Sequence, residues 1–111
     1  MRDVRTLGLL FESLVLRDLE IYAEAMEGEL YHYQDYSGDD FDAVIQTPDN
    51  GWSAFEVKLD ASQVDEAARS LVKIAEKFKH NPPTSLAVIV GKSSLAYRRE
   101  EDGVYVLPLT A

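Results

Sequence analysis

The run Glu56-Val57-Lys58 places a carboxylate and an ammonium two residues apart inside an otherwise apolar segment. In a β-strand, side chains two residues apart project from the same face, so Glu56 and Lys58 are neighbours there. Asp42 lies in an earlier segment that also alternates between polar and apolar residues. Such a set can hold a divalent cation and activate water, or it can form only an ion pair on the solvated face of a half-buried strand.

The two segments are predicted to pair as a β-hairpin. The sequence Pro48-Asp49-Asn50-Gly51 between them is a strong turn signal. Alternate positions are apolar in both segments, and these apolar positions are Phe41, Ala43 and Ile45 in the first and Phe55, Val57 and Leu59 in the second. If both sets face the core, a loop of residues 47–51 places Asp42 directly opposite Glu56, with Cβ atoms about 5 Å apart.

Two ionised carboxylates at that separation repel each other, and the fold must compensate. Three compensations remain open: the Lys58 ammonium, a shared proton, or a divalent cation. Magnesium suits the third, because it binds one or two protein carboxylates and keeps waters in the rest of its shell. The Val57 carbonyl is a further candidate ligand, and Lys58 could hold or deprotonate the attacking water.

A fourth candidate residue, Glu12, lies on the first predicted helix, over residues 7–26. It falls in a helical line with Leu9, Leu16 and Leu19. This position indicates either the boundary of the buried stripe or a buried role, since glutamate is seldom buried without a partner. If the helix packs across the sheet, Glu12 could reach Asp42 and Glu56.

The remaining elements predict an α/β or α+β sandwich in the order α-β-β-β-α-β-β-β. A short strand is expected over residues 30–33, a helix after Ser62 that ends before Pro82, a buried strand over 86–90, and a second hairpin around residues 101–103. The strand after the second helix should return beside the Glu56 strand. The two helices then cover a central mixed sheet.

Composition limits the classes of function. The chain of 111 residues has no cysteine, which excludes disulfides and thiolate metal sites, and no apolar run as long as a membrane span. The net charge of −9 disfavours broad electrostatic capture of nucleic acid or anionic membrane. Residues 1–57 carry 3 basic and 13 acidic side chains, whereas residues 58–111 carry 8 and 7. A clustered acidic half either repels partners or holds cations.

The ordered set of Glu12, Asp42 and Glu56-Val57-Lys58 resembles the signature of the PD-(D/E)xK nuclease superfamily. More narrowly, the chain resembles an uncharacterised domain found C-terminal to an AAA-type ATPase module in many bacterial and archaeal proteins. That narrower resemblance rests on Gly8-Leu-Leu-Phe-Glu-Ser-Leu-Val-Leu-Arg-Asp-Leu19, Tyr31-His-Tyr33, Gly38-Asp-Asp-Phe-Asp42, Ala54-Phe-Glu-Val-Lys-Leu59 and Asp102-Gly-Val-Tyr-Val-Leu-Pro108.

The resemblance implies a restriction-endonuclease-like core and a Mg²⁺ or Mn²⁺ site built from Asp42 and Glu56. Glu12 would be a secondary ligand and Lys58 the activating base or electrostatic stabiliser. It also implies that residues 1–111 form one domain, either the C-terminal module of a longer protein or a stand-alone relative, with an ATPase module as partner in cis or in trans. The absence of cysteine fits a cytoplasmic location. Two positions depart from the family pattern: Phe41 replaces the proline, and Asp40 stands where the narrower family usually has glutamate.

The predicted function is metal-dependent hydrolysis of DNA phosphodiesters. Arg69, Lys73 and Lys77 recur at four-residue steps on the second helix and could follow a phosphate backbone, although a solvated helix face explains the same pattern. The alternative is a catalytically inactive module of the same fold that docks to an ATPase partner or associates as a homodimer. The acidity and the limited basic surface favour that alternative.

Overall fold

The sheet is mixed and has six strands in the spatial order β1-β2-β3-β4-β6-β5. The computed structural model describes residues 4–91 and 95–108, without the side chains of residues 4–12. The strands are β1 (Glu29–Gln34), β2 (Asp40–Gln46), β3 (Trp52–Lys58), β4 (Ser85–Val90), β5 (Tyr97–Arg98) and β6 (Tyr105–Pro108). The pairs β3–β4 and β4–β6 are parallel, and the other three pairs are antiparallel. The predicted element order is confirmed, including the return of β4 beside β3.

Two helices cover the two faces of the sheet. Helix α1 (Val4–Ala25) packs on one face, where Val15 and Leu19 meet Ile45 and Phe55. Helix α2 (Val64–Ala75) follows a 3-10 turn (Ala61–Gln63) capped by the Asp60 side chain and packs on the opposite face. Residues 54–57 of the strand that carries Glu56 are consequently buried. Among the described residues, no helix combines the length and the apolar character needed to cross a membrane.

The hairpin between β2 and β3 has the predicted loop and the predicted register. The Thr47 amide donates to the Gly51 carbonyl at 2.9 Å, and Asn50 adopts a left-handed φ of 69° inside the turn. Ala43 pairs with Phe55 and Gln46 pairs with Trp52. Continued by one residue, this register sets Asp42 opposite Glu56.

The predicted orientation of Phe41 is wrong. Phe41 packs on the α2 face, whereas Ala43 and Ile45 pack on the α1 face. The cause is a β-bulge: Tyr31 pairs with Val44 but Tyr33 pairs with Phe41, so β2 contains one residue more than β1 in this interval. A bulge reverses the alternation of side chains beyond it. Phe41 thereby joins Tyr33 and Trp52, at ring-centroid distances of 5.4 and 6.0 Å.

A buried arginine fastens the last hairpin to α2. The Arg99 side chain is 6% exposed and forms ion pairs with Asp65, in the first turn of α2, and with Asp102 at 3.1 Å. These carboxylates raise the pKa of Arg99. A buried charge is tolerated only where such partners satisfy it. Arg99 therefore links two parts of the chain that are 34 residues apart.

We expect Arg99→Met to lower the free energy of unfolding by about 3 kcal/mol, because it leaves the half-buried Asp102 without its cationic partner. Arg98→Met is the matched control. The Arg98 guanidinium is exposed, lies 5.6 Å from the Tyr105 ring centroid and donates to the Gly103 carbonyl, so its loss should cost less than about 1 kcal/mol. Urea unfolding measures both, and equal losses would contradict the assigned role of Arg99.

Candidate functional site

Asp42 fills the gap where β2 and β3 separate. The paired positions of the two strands end at Ala43 and Phe55, although β2 extends to Asp40 and β3 to Lys58. In this gap the Val57 amide donates to Oδ2 of Asp42 at 2.8 Å. The Asp42 side chain thus accepts a hydrogen bond from the Val57 amide, which has no backbone acceptor in β2 because the β2–β3 pairing has ended. The bulge in β2 aims the Asp42 carboxylate at β3.

Glu56 meets Asp42 from β3. Its side chain is buried, with 7% of the residue exposed, and its parallel partner in β4 is Val88 of the α2-side core. Burial, the negative charge of Asp42 and a hydrogen bond to Asp42 together raise the pKa of Glu56 from 4.5 to about 8. The raised pKa favours one proton shared within the Glu56–Asp42 pair at neutral pH. The raised pKa of Glu56 agrees with the second of the three predicted compensations, a proton shared by the two carboxyl groups.

Lys58 lies next to this pair on the same face of β3. Its positive charge opposes the rise in the pKa of Glu56, but burial and Asp42 outweigh it. The Lys58 side chain is half-buried, and within residues 13–91 and 95–108 its ammonium has no ion-pair partner within 4.0 Å. Its backbone carbonyl accepts from the Gly91 amide at 3.1 Å. This backbone hydrogen bond fixes the end of β3, and the N–H donors of the Lys58 ammonium remain available to other partners.

A cavity of about 200 Å³ opens beside Asp42 on the α1 side and is lined by Leu16, His32, Asp42 and Val57. His32 is exposed there, and its Nε2 lies 3.8 Å from Oδ2 of Asp40. His32 was not identified from the sequence as a residue of this cavity. The signal in the sequence was the failure of Tyr31, His32 and Tyr33 to alternate, because that irregularity accompanies the bulge.

Glu12 belongs to α1, four residues before Leu16, so its backbone lies one helical turn before a residue that lines the cavity. Its side chain lies outside the described residues, and its predicted part as a secondary ligand stays a prediction. Among the side chains that the structure does describe, no three His, Asp or Glu residues form a metal-binding group.

The predicted basic stripe on α2 is divided. Arg69 and Lys73 are exposed on the helix, whereas Lys77, just beyond its end, is held by Asp35 at 2.7 Å and Asp39 at 2.6 Å. These contacts raise the pKa of Lys77 and lower that of Asp35. The charge of Lys77 is neutralised in the turn between β1 and β2, so Arg69 and Lys73 remain as the basic groups of the stripe.

The donor set fits a hard divalent cation. Asp42 and Glu56 present carboxyl oxygens to each other, and a buried carboxyl that keeps its proton to pH 8 indicates a position short of positive charge. Mg²⁺ and Mn²⁺ favour carboxylate, carbonyl and water oxygens, and they need only one or two protein carboxylates. The Val57 carbonyl lies on the same strand segment.

The fold and this site define a mixed α+β domain with two carboxyl groups meeting where neighbouring strands separate. The chain belongs to the family described as "Domain of unknown function (DUF4143)", whose model matches residues 7–111. Neither a curated protein nor a solved structure matches the chain.

Without divalent cations, we expect the free energy of unfolding to fall as the pH rises from about 4.5 to about 8. Between these values the folded chain keeps the Glu56 proton that the unfolded chain has released, so the stability is full below the lower value and is lost through the upper one. One such group contributes at most about 1.4 kcal/mol per pH unit. Urea unfolding at a series of pH values measures the slope.

Glu56→Gln should remove this contribution, and the exposed Glu66→Gln should leave it in place. Asp42→Asn should lower the pKa of Glu56 only part of the way, because burial is the largest cause of the shift. Carbon-13 NMR titration of the Glu56 carboxyl gives that pKa directly. Parallel pH–stability curves for the wild type and Glu56→Gln would refute the assignment.

Proposed function

We propose that the chain is a metal-dependent nuclease that hydrolyses DNA phosphodiesters on a restriction-endonuclease-like core of the PD-(D/E)xK superfamily. The observation that carries the proposal is the carboxyl hydrogen bond between Asp42 and Glu56 in the strand gap, with Lys58 two residues further along β3. The coverage of the sheet by one helix on each face supports the fold assignment, and the order of acidic residues along the chain supports the family assignment.

Asp42 and Glu56 would hold Mg²⁺ or Mn²⁺, with the Val57 carbonyl and Glu12 as further ligands. When bound, the cation would supply Lewis-acid stabilisation of charge on the phosphoryl oxygens and activation of the attacking water. The amide of Val57 fixes one oxygen of Asp42, so the carboxylate does not need to reorganise when it binds. Glu56 gives up its proton on binding.

Lys58 would orient or deprotonate the attacking water, since its ammonium keeps free donors beside the carboxyl pair. His32, exposed in the cavity next to Asp42, could donate one ring N–H to a phosphate oxygen of the substrate. Arg69 and Lys73 are the exposed cations of α2 that would contact the DNA backbone. Lys77 would act indirectly, by holding the turn that leads into β2.

The wider context of the chain is part of the same proposal and rests on the resemblance described above. Residues 1–111 would form one domain at the C-terminal end of a longer cytoplasmic protein. An ATPase module would act with it, either in the same chain or as a separate protein.

A second candidate function is docking without catalysis, through the same fold. Large apolar side chains are exposed along α1, and Leu14, Ile21 and Tyr22 are 53, 60 and 60% exposed. Monomeric proteins rarely expose large apolar clusters, and such clusters usually mark interaction surfaces. This function predicts no cleavage with any divalent cation, together with association with an ATPase partner or with a second copy.

Binding of Mn²⁺ at pH 6.5 should release about one proton, because Glu56 is protonated at that pH and must ionise to become a ligand. The release should vanish at pH 9. Calorimetric titration in buffers of different ionisation enthalpy counts the protons. Glu56→Gln should abolish the release and weaken binding, whereas the exposed Glu66→Gln should change neither. Binding that releases no proton would place the cation elsewhere.

In a cleavage assay with plasmid and branched DNA, Mg²⁺ or Mn²⁺ should support nicking by the wild type. Asp42→Asn and Lys58→Met should each reduce the rate by about 100-fold or more, because one removes a ligand and the other removes the group that acts on water. Lys79→Met, which removes an exposed lysine beyond α2, is the matched control and should cleave as the wild type does.

Circular dichroism and urea unfolding would establish that the Asp42 and Lys58 variants remain folded. Absence of cleavage by the wild type, or equal cleavage by Asp42→Asn, would end the nuclease proposal. The wild-type result also separates the two candidate functions.

A further inference from the structure

The two faces of the sheet are covered unequally. Helix α2 packs on β3 and β4, and its core extends to Val106 of β6. Helix α1 packs mainly on β1 and β2. On the α1 side, Ile89 of β4 and Leu107 of β6 are therefore left beside the helix and not beneath it. One half of this face has a helical layer, and the other half does not have one among the described residues.

The open half forms a trough of about 420 Å³ between α1 and the sheet. Its floor consists of Phe55, Ile89 and Leu107, and its wall consists of Leu19 and Tyr22 of α1; the remaining lining residues are Val15, Asp18, Ala96 and Pro108. Asp18 is the one charged residue in this lining. A cleft of this size with apolar walls and a single charge has the character of a binding site.

The apolar wall continues onto the outer surface of α1. At 100° per residue, Leu14, Ile21 and Tyr22 fall on the same flank of the helix as Asp18, whereas Glu20 and Glu24 fall on another. All three apolar side chains are more than half exposed. The trough and this flank together form one continuous apolar strip, and an α-helix laid beside α1 would cover it.

We propose that the trough binds an amphipathic helix from a different polypeptide segment, with a lysine or arginine of that helix opposite Asp18. Recognition of this type uses apolar anchors at helical spacing, in a groove that is already formed. The charge in the trough favours a basic partner, because Asp18 is the one charged side chain of its lining and is exposed. The proposal does not depend on catalysis.

The same charge disfavours a second copy of this chain as the occupant. An isologous dimer brings the same patch of both subunits together. Each copy would therefore bring its Asp18 to the strip that carries Asp18 of the other copy, and opposed like charges lower affinity. A basic helix turns the same charges into attraction.

The test uses three acetylated and amidated peptides of 18 residues. One has leucines along one face with lysines on the flanks, the second has glutamates in place of the lysines, and the third has the lysine composition with scrambled leucines. Fluorescence anisotropy gives affinities, and amide NMR shifts locate binding. We expect the lysine peptide to bind at least about 10-fold more tightly than either control and to shift Phe55, Ile89 and Leu107.

Charge reversal sharpens the test. Asp18→Lys should lower the affinity for the lysine peptide by about 10-fold and raise the affinity for the glutamate peptide. Tyr22→Ser should lower the affinity for both peptides. Tyr36→Ser, at the exposed turn between β1 and β2, should leave every affinity unchanged. None of these measurements includes DNA cleavage, so a failed nuclease assay leaves their outcome unaffected.

Three results would overturn the proposal. Equal binding of the scrambled peptide would show general attraction to an acidic protein. Equal affinity of the lysine peptide for Asp18→Lys would remove the assigned contact. A wild-type dimer in light scattering that dissociates in Ile21→Glu would identify a second copy as the occupant.

Discussion

The site depends on a single replacement in the hydrogen-bonding pattern of the sheet. Where the β2–β3 ladder stops, the Val57 amide would lose its acceptor, and a carboxylate oxygen of Asp42 takes that place. A buried amide without a partner costs free energy comparable to a lost hydrogen bond. The bulge in β2 makes this contact geometrically feasible. The same distortion sends Phe41 to the aromatic cluster of the α2 face, so core packing and the position of Asp42 are fixed together.

Glu56 pairs with this aspartate under conditions that disfavour charge. The apolar layer beneath α2 removes water from the carboxyl, and the neighbouring carboxylate adds repulsion. Lys58 is too weak to reverse these effects. A proton neutralises one charge of this pair, and under the proposed function a cation would take its place. The fall in stability with rising pH and the proposed binding of a cation would both follow from the shortage of positive charge at this pair.

Much of this arrangement follows from local sequence. The turn over residues 47–51 and the alternation around it fix the register, and the register brings Asp42 to Glu56. The face of Phe41 could not be derived, since the extra residue in β2 is defined only against β1. The position of His32 depends on the same bulge. The ion pair of Lys77 with Asp35 joins residues 42 positions apart and that of Arg99 with Asp65 joins residues 34 positions apart, and no periodic pattern reports such contacts. The sequence likewise gave no sign that Lys77 forms ion pairs with Asp35 and Asp39.

The Lys77 ion pairs connect the end of α2 with the strand that carries Asp42. The Lys77 ammonium forms ion pairs with Asp35 and Asp39, at the two ends of the turn that precedes β2. Lys77 itself lies in the segment just beyond α2. Asp42 follows Asp39 by only three residues in the chain. Lys77 therefore joins the segment that follows α2 to the turn that leads into the strand of Asp42.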